Sequence, residues 1–350
     1  KLSMFIMEPN AYPTMFKSNT RTRYVVANST LSEISADSEF EFTSVIESES
    51  GNFYEIDRKF RETKLGSIIG ARKLQVTSFS LNDETVFSRT DEFIAIKVSN
   101  KENMRQKVTD ENPIAEIIAL QLIGNENMNI IEILECCEDE DNIYLVMKYF
   151  PAGDLSDFIV ENGPFEESKA KEMMRQLLNA LQNLQDLGIG HLDLSLENIL
   201  LDELYELFVV TDFGACKRCY RTAASTANPP AVVDASCYRP LVGLPAFGRD
   251  NYLAPEVLRF EGSINPMLCD IWALGIILFI ALTGVAPMNS ALDLDEGYRM
   301  IAEDRLHVLA ECWNLNLSDE VLDLIQRILR TDPTQRLTIS QILAHPWMLG

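Results

Sequence analysis

The first half of the chain shows the short apolar and alternating runs that are typical of β-strands. Residues 73–79 alternate polar with apolar side chains, and Phe93–Val98 and Asn142–Met147 are rich in β-branched and other apolar residues. Such runs predict strands. One helix is expected among them, from about Pro113 to Ile123, because proline suits a first helical turn. The region from about 64 to 150 is therefore predicted to be strand-rich.

Apolar residues recur at helical spacing from residue 151 onward. The run Phe165–Ser168 opens a long helix that is predicted to end near Gly188. The strongly apolar run Asp270–Leu282 predicts a buried helix, and Asp319–Leu329 predicts an amphipathic one. Strands followed by helices indicate the α+β class.

Residues 1–60 differ in composition from the rest of the chain. No basic residue occurs between Arg23 and Arg58, and the same span is rich in glutamate, aspartate and serine. One interpretation is a flexible acidic leader. The other is an extension packed on the strands that follow, with Phe40, Phe42 and further apolar residues as anchors. The pattern Phe40-x-Phe42 is itself typical of a short strand.

Composition limits the classes of protein and partner. The chain has 350 residues, 47% of them hydrophobic, which is enough for one large or two ordinary domains with a sizeable core. Its net charge of −23 argues against nucleic acid or an anionic membrane as a main partner. The charge leaves basic proteins as candidate partners, although a solvated acidic surface is the simpler interpretation. We expect a monomer.

Cysteine number and apolar run length bear on location. Seven cysteines in a long chain favour reduced thiols and a cytoplasmic setting. No charge-free apolar run reaches the length of about 18 residues that a membrane span needs, so no span is expected. The sequence begins at Lys1 rather than Met, which leaves a removed signal peptide as an alternative.

Residues 191–214 carry the clearest candidate chemistry. The run 191–193 reads His-Leu-Asp, Asn198 follows, and the run 212–214 reads Asp-Phe-Gly. This order resembles the catalytic and metal-binding loops of the protein kinase family, whose pattern is His-Arg-Asp, a later asparagine, and Asp-Phe-Gly. With the motifs described below, the resemblance covers about residues 64–348.

The resemblance implies a bilobal protein-kinase-like fold of the α+β class. A small antiparallel β lobe is expected over about residues 61–150 and a larger helical lobe over about 151–350, preceded by the acidic extension 1–60. ATP and Mg²⁺ are the implied cofactors, and protein substrates are implied, of which basic ones suit the charge.

Five residues carry the implied chemistry. Asp193 resembles the base that orients the substrate hydroxyl, and Asn198 and Asp212 resemble the Mg²⁺ ligands. Lys97 lies in an Ile-Ala-Ile-Lys run like the strand that contacts the ATP phosphates. Glu116, in the predicted helix, stands where the family places the counter-ion of that lysine.

The resemblance also implies a nucleotide site. The residues are Gly66 and Gly70 over the phosphates, Met147 as gatekeeper, Lys148 and Phe150 in the hinge, Asp154 for ribose, and Ala95 and Leu200 against adenine. Gly66 and Gly70 match the family's G-x-G-x-x-G only in part, because Ile68 holds the middle position. An atypical phosphate lid is therefore expected.

Three further runs resemble structural signatures of the family. The run 254–256 reads Ala-Pro-Glu, like the end of an activation segment, and Arg336 stands where an arginine pairs with that glutamate. The run 270–275 reads Asp-Ile-Trp-x-x-Gly, like the helix that anchors the catalytic loop. The run 345–347, His-Pro-Trp, closes the domain as in calcium/calmodulin-dependent-like kinases.

Two positions in the catalytic loop depart from the family. Leu192 stands where an arginine usually receives an activation-segment phosphate, so activity is predicted not to need that contact. Ser195 stands where Ser/Thr kinases carry a lysine, and Arg249 stands where they usually carry threonine. We hypothesise that Arg249 supplies the lost charge beside Asp193 and is catalytic. The alternative is an arginine that binds a substrate side chain or points to water.

The segment that follows Asp212 is long. Its middle, residues 222–247, is rich in alanine, serine and proline and predicts an inserted, partly disordered loop. Candidate phosphorylation sites in it are Thr222, Ser225, Thr226 and Ser236.

Several functions remain open at this stage. An active, divergent Ser/Thr protein kinase is the leading hypothesis, because Lys97, Glu116, Asp193, Asn198 and Asp212 all occur. A pseudokinase that serves as a binding or scaffold module is favoured by the incomplete glycine pattern and the altered catalytic loop. A small-molecule kinase and a tyrosine kinase are weaker alternatives.

Overall fold

The computed structural model describes residues 16–19, 23–27, 40–48, 50–79, 85–107, 111–222, 225–226, 233–243, 248–259 and 262–350. The chain divides into two compact units. The strand unit comprises Lys1–Ile118 and Glu132–Tyr149, and the helical unit comprises Ala119–Ile131 and Phe150–Gly350. A strand-rich unit and a helical unit agree with the α+β prediction.

The strand unit is built on one eight-stranded sheet. Its strands are β1 (Phe16–Asn19), β2 (Arg23–Ala27), β3 (Phe40–Ser48), β4 (Phe53–Glu62), β5 (Gly66–Phe79), β6 (Thr85–Asn100), β7 (Ile133–Glu138) and β8 (Asn142–Lys148). The order is β1-β7-β8-β6-β2-β3-β4-β5, and β5 also pairs with β6. Helix α1 is Lys101–Gln106, and α2 is Pro113–Ile123, with the predicted bounds. The strands predicted over 73–79, 93–98 and 142–147 are confirmed within β5, β6 and β8.

The described parts of residues 1–60 extend this sheet. The strand predicted at Phe40 and Phe42 is confirmed in β3, and Val45 and Ile46 of that strand are buried. Val45 and Ile46 thus pack within the sheet, whereas the choice between the two interpretations of the whole extension stays open, because residues 1–15, 20–22, 28–39 and 49 lie outside the described residues. Most strand pairings of this sheet are antiparallel, which confirms the predicted antiparallel lobe, whereas the pairings β1–β7 and β2–β6 are parallel. Two parallel neighbouring strands need a long connection, and the strands of each of these pairs are far apart in sequence.

Gly66 and Gly70 lie in strand β5 rather than in a loop. The turn before β5 is at residues 63–65, and the β-branched Ile68 and Ile69 favour extended structure. A Cβ at Gly66 would lie 2.0 Å from the carbonyl oxygen of Val98, and a Cβ at Gly70 would lie 2.6 Å from the Phe60 ring. Close packing within the sheet requires glycine at both positions, and their role over the phosphates stays a prediction.

The helical unit contains the remaining helices and three two-stranded sheets of the described residues. The helices are α3 (Leu155–Asn162), α4 (Glu167–Leu187), α5 (Pro255–Leu258), α6 (Pro266–Thr283), α7 (Glu296–Ala302), α8 (Leu306–Cys312), α9 (Asp319–Ile328), α10 (Ile339–Leu343) and α11 (Pro346–Leu349). The strand pairs are β9 (Ile189–Gly190) with β12 (Lys217–Arg218), β10 (Ile199–Leu201) with β11 (Phe208–Val210), and β13 (Leu241–Val242) with β14 (Ser263–Ile264). Helices α4, α6 and α9 confirm the three predicted from apolar spacing.

Helix α6 forms the centre of this unit. It is the one helix among the described residues that is long and apolar enough to cross a membrane, and 89% of it is buried inside the protein. A helix in the core of a protein can have the same length and apolar composition as a helix that spans a membrane. Asp270, on the same helix, is buried and points its carboxylate at the catalytic loop.

Part of the predicted inserted loop lies within the described residues and packs in the helical unit. Cys219, Ala235, Cys237, Tyr238 and Met267 form a buried apolar cluster. Ser225, a candidate phosphorylation site, is buried as well, whereas Thr226 and Ser236 are exposed. Residues 223–224, 227–232 and 244–247 lie outside the described part of the chain.

Candidate functional site

Lys97 and Glu116 form a buried ion pair in the strand unit. The Nζ of Lys97 lies 2.9 Å from Oε2 of Glu116, and the two side chains are only 6% and 2% exposed. Strand β6 presents Lys97 opposite Ile68 of β5 and Leu145 of β8. The predicted contact is confirmed. An unpaired charge in such a place is strongly unfavourable, so each residue requires the other.

The other nucleotide residues of the strand unit lie on adjacent strands. Ala95 of β6 pairs in register with Met147 of β8, and Met147 is buried. Lys148 follows at the end of β8 and is exposed. Gly66 and Gly70 lie in β5, with Gly70 opposite Ala95. Their contacts with a nucleotide stay predictions.

Asp270 fixes the catalytic loop in the helical unit. Its carboxylate accepts backbone N–H bonds from His191 at 2.7 Å and from Leu192 at 2.8 Å. Burial raises the pKa of this carboxyl to about 6, although the His191 ring and these two backbone bonds act in the opposite direction. The anchoring predicted for the Asp-Ile-Trp-x-x-Gly helix is confirmed.

Two residues beside the candidate chemistry have left-handed backbones. Leu192 has φ of 65° and Asp212 has φ of 63°. A non-glycine residue in this region costs roughly 1–2 kcal/mol, more for a bulky side chain. The strain adjoins Asp193 and falls on a predicted metal ligand, where the surrounding hydrogen bonds hold it.

Asn198 connects Asp193 to the loop that carries Asp212. Its Nδ2 donates to the backbone oxygen of Asp193 at 2.8 Å and to Oδ2 of Asp193 at 3.1 Å. The N–H of Thr211 donates to the carbonyl of Asn198 at 3.0 Å, next to the paired strands β10 and β11. Because Nδ2 is engaged with Asp193, Oδ1 of Asn198 is the atom left for a cation.

Asn198 and Asp212 together offer oxygen ligands of the kind that Mg²⁺ prefers. One amide oxygen and one carboxylate come from adjacent loops, and Oδ1 of Asp212 also accepts a 3.4 Å bond from the N–H of Gly214. Mg²⁺ is usually bound by one or two carboxylates together with substrate phosphates and water. The residues therefore fit a shared Mg²⁺ and phosphate site.

Arg249 approaches the catalytic loop from the segment before Glu256. Its Nη1 donates to the hydroxyl of Ser195 at 2.7 Å and lies 3.8 Å from Oδ1 of Asp193. Its Nε lies 3.4 Å from Oε1 of Glu197. The hypothesised charge beside Asp193 is present in this geometry, and its catalytic role stays a prediction.

Sequence reasoning missed two residues that shape this contact. Gly248 has φ of 93°, and a Cβ there would lie 2.9 Å from Oδ1 of Asp193, so glycine allows the approach. Glu197 orients Arg249, which only the loop geometry reveals. Gly248, which directly precedes Arg249, is the one sequence feature that could have indicated this close approach.

Phe150, Asp154 and Leu200 lie together in the helical unit. Asp154 forms a bridge with Leu200, and Phe150 is buried. Oδ1 of Asp154 caps helix α3 by accepting the N–H of Asp157 at 3.0 Å. Capping engages one carboxylate oxygen of Asp154, and the ribose contact stays a prediction.

Glu256 and Arg336 form a buried bidentate pair. The guanidinium donates to both carboxylate oxygens, at 2.7 and 2.6 Å, and lies over the ring of Trp272. Parallel bonds of this kind are the strongest ion-pair geometry in proteins. The predicted pair is confirmed, and it ties the end of the segment to the helical core.

The pattern described as "Protein kinase domain" matches residues 78–348. The chain belongs to this family. The mouse Serine/threonine-protein kinase DCLK3 is 31% identical over 288 residues, which cover 81% of this chain and 32% of that protein. CBL-interacting protein kinase 31 of rice (Oryza sativa subsp. japonica) is 31% identical over 292 residues, 83% of this chain and 58% of that protein.

A third similar protein is the calcium/calmodulin-dependent protein kinase cmkB of Emericella nidulans. It is 30% identical over 288 residues, 81% of this chain and 65% of that protein. The chain thus spans about a third to two thirds of the length of these relatives. Protein kinases in general use ATP and Mg²⁺ and act on proteins.

This kinase-family chain also contains one C-x-x-C pair, Cys216 and Cys219. Both thiols are buried, and burial raises the pKa of Cys219 to about 12. A thiol with such a pKa is neutral at physiological pH, and the thiolate is the form that attacks or binds metal. Among the described residues no group of three potential metal-binding His, Cys, Asp or Glu side chains occurs.

Proposed function

We propose that this chain is an active Ser/Thr protein kinase that transfers the γ-phosphate of ATP to hydroxyl groups of protein substrates. The observation that carries the proposal is that the side chains of Asn198 and Arg249 both contact the carboxylate of Asp193, the candidate base. The buried pair of Lys97 and Glu116 supports it, because the pair holds an ammonium group in the position from which the family's lysine contacts ATP phosphates.

Each residue has a distinct task in this proposal. Asp193 accepts the hydrogen bond of the substrate hydroxyl and orients it for attack, and Lys97, held by Glu116, neutralises phosphate oxygens. Asn198 and Asp212 hold Mg²⁺, which supplies positive charge to the transferring phosphate. The Nδ2 bonds of Asn198 keep the base and the metal ligand in a fixed relation.

Arg249 takes the task of the lysine that Ser195 replaces. A guanidinium 3.8 Å from the carboxylate of Asp193 places positive charge beside the reacting groups. Preorganised charge of this kind stabilises the charge that develops in the transition state. The bonds to Ser195 and Glu197 hold the guanidinium in place before substrate arrives.

Basic proteins are the proposed substrates, because the net charge of −23 attracts cationic partners. The test is ATP turnover by the full chain with Mg²⁺ on matched basic and acidic peptides that carry serine, threonine or tyrosine. We expect phosphate on serine and threonine of the basic peptides, and no turnover from Asp193→Asn. Nucleotide binding without turnover by the wild-type chain would favour the pseudokinase alternative, and phosphotyrosine alone would contradict the assigned specificity.

A further inference from the structure

Leu192 leaves the segment between Asp212 and Glu256 without the side chain that would receive a phosphate on it. We name residues 212–256 the activation segment. Leucine cannot pair with a phosphate, so the segment needs another means of support if it is to carry Arg249 to Asp193. In the described parts of the activation segment, hydrogen bonds within the segment and to helix α4 provide such support.

Two stretches of the activation segment pair with each other. The N–H of Thr222 donates to the carbonyl of Cys237 at 2.8 Å, and the N–H of Arg239 donates to the carbonyl of Tyr220 at 2.9 Å. The buried hydroxyl of Ser225 adds a 2.7 Å bond to the same carbonyl of Cys237. The two stretches are therefore held together by backbone and side-chain hydrogen bonds.

Tyr238 fastens these two stretches to the end of helix α4. Its hydroxyl donates to the carbonyl of Asp186 at 3.0 Å, and the side chain is buried. The last carbonyls of a helix have no partner within it, so this bond satisfies one of them. Gly188, with φ of 72°, leaves room for the ring, since a Cβ there would lie 2.6 Å from Tyr238.

Three polar contacts surround the tyrosine. Gln182 of α4 donates to the carbonyl of Val233 at 3.1 Å, and Asn265, which caps α6, donates to the carbonyl of Ala235 at 2.8 Å. The N–H of Cys219 donates to the carbonyl of Gly188 at 2.7 Å. Helix α4 and the N-cap residue of helix α6 are therefore both hydrogen-bonded to the activation segment.

These same helices hold the catalytic loop. Strand β9 follows Gly188 directly, leads into His191 and pairs with β12 of the activation segment. Helix α6 begins after Asn265 and carries Asp270, whose carboxylate binds the backbone of His191. The helices that bind Tyr238 and its neighbours are thus the same helices that support the catalytic loop.

The geometry points to Tyr238 as a positioning residue that holds the activation segment on helix α4 without phosphate and so keeps Arg249 beside Asp193. The inference rests on the proposed kinase activity for its kinetic consequence alone. Tyr238 touches neither substrate nor nucleotide in this role, and acts through the segment that carries Arg249.

The first test measures the segment itself. Hydrogen exchange of the phosphatase-treated full chain is compared for the wild type, Tyr238→Phe and Tyr238→Ala. We expect exchange at residues 217–222 and 233–239 to rise about fivefold for Tyr238→Phe and more than tenfold for Tyr238→Ala. Tyr220→Ala is the matched control, because Tyr220 lies in the same segment and is exposed. Unchanged exchange in Tyr238→Ala would overturn the inference.

The second test measures the consequence for catalysis. We expect Tyr238→Ala to lower kcat/KM for a peptide at least tenfold while the KM for ATP stays within twofold, with Tyr238→Phe in between and Tyr220→Ala unchanged. An equal loss for both tyrosines, or a change in the ATP KM alone, would contradict a positioning role. Because Tyr238→Phe keeps the ring, it also decides the matter if Tyr238→Ala fails to fold.

Failure of this inference and failure of the kinase proposal give different results. A wild-type chain that turns over no ATP refutes the kinase proposal, and the exchange experiment then decides the anchoring by itself. A strong loss of wild-type activity on phosphatase treatment, with exchange rising in the same residues, would show that phosphate rather than Tyr238 holds the segment.

Discussion

Arg249 donates a 2.7 Å hydrogen bond to the hydroxyl of Ser195, the position at which the family's lysine is missing. The guanidinium comes from a different part of the chain than the lysine would, yet its Nη1 lies 3.8 Å from the carboxylate of Asp193. A positive charge thus approaches Asp193 from the segment that faces the catalytic loop rather than from the loop itself.

We predict that Arg249→Ala lowers kcat by a factor of roughly 10², because it removes a charge used in the transition state. The KM for ATP should change little. Steady-state kinetics with a peptide substrate measures both constants. Arg305→Ala, an exposed arginine paired with Glu303, serves as the control and should match the wild type. A wild-type kcat for Arg249→Ala would refute the role.

We predict that restoring the family pattern compensates for loss of Arg249. Arg249→Thr alone should lose roughly the same factor of 10² in kcat. Ser195→Lys alone should also lose activity, since it places a second cation against Arg249. The double variant Ser195→Lys/Arg249→Thr should recover to within about tenfold of the wild type, as coupled neighbours depart from additivity. Additive losses in a double-mutant cycle would show that the two positions do not share one function.

Removing one partner of the Lys97–Glu116 pair should destabilise the chain. Lys97→Met or Glu116→Leu is expected to lower the free energy of unfolding by about 3–5 kcal/mol, because each leaves a buried charge alone. The double variant should be more stable than either single one, since no charge remains. Urea unfolding measures all three. Lys59→Ala, at an exposed ion pair, should change stability by less than about 1 kcal/mol.

Glu135 should make stability depend on acid pH. Burial acts to raise the pKa of its carboxyl, but hydrogen bonds from Ser50, Tyr54, Ser48 and Asn52 outweigh burial and lower it below the ordinary 4.5. A carboxyl whose pKa is lower when folded stabilises the fold above about 4.5, and this contribution is lost as the pH falls through the folded value.

The measurement is the free energy of unfolding from pH 7 downward for the wild type and Glu135→Gln. We expect the wild type to lose more stability than the variant below about pH 4.5. Glu126→Gln, at an exposed glutamate of the helical unit, controls for general acid effects. Parallel curves for the wild type and Glu135→Gln would rule out the contribution of Glu135.

The sequence predicts four of the described helices and the two buried ion pairs, because these depend on short periods and on motif order. Helix α2 has its predicted bounds, and the pair of Glu256 and Arg336 forms as expected from the two motifs. Long-range strand pairing leaves a weaker signal. The parallel neighbours β1–β7 and β2–β6 join distant residues, and nothing local specifies them.

The inserted part of the activation segment shows a second limit. Alanine, serine and proline are typical of loops, so the composition of this part gives no indication that Tyr238 binds a helix. Tyr238 is a single aromatic residue, and its hydroxyl binds the end of a helix 52 residues earlier in the chain, at the carbonyl of Asp186. Likewise Gly66 and Gly70 match half of a loop motif, yet their packing places them in a strand.

Strands β1–β4, between residues 16 and 62, belong to the same sheet as the strands of the family domain. The sheet of this chain therefore extends beyond the range that the family pattern matches. The family pattern begins at residue 78, inside β5. A fragment cut there would lose β1–β4 and most of β5, and it would leave the backbone of β6 and β7 open along edges that are paired in the whole chain. Open edges recruit strands from other molecules. Such a trimmed kinase domain should therefore aggregate, even though it retains Lys97, Asp193 and Asp212.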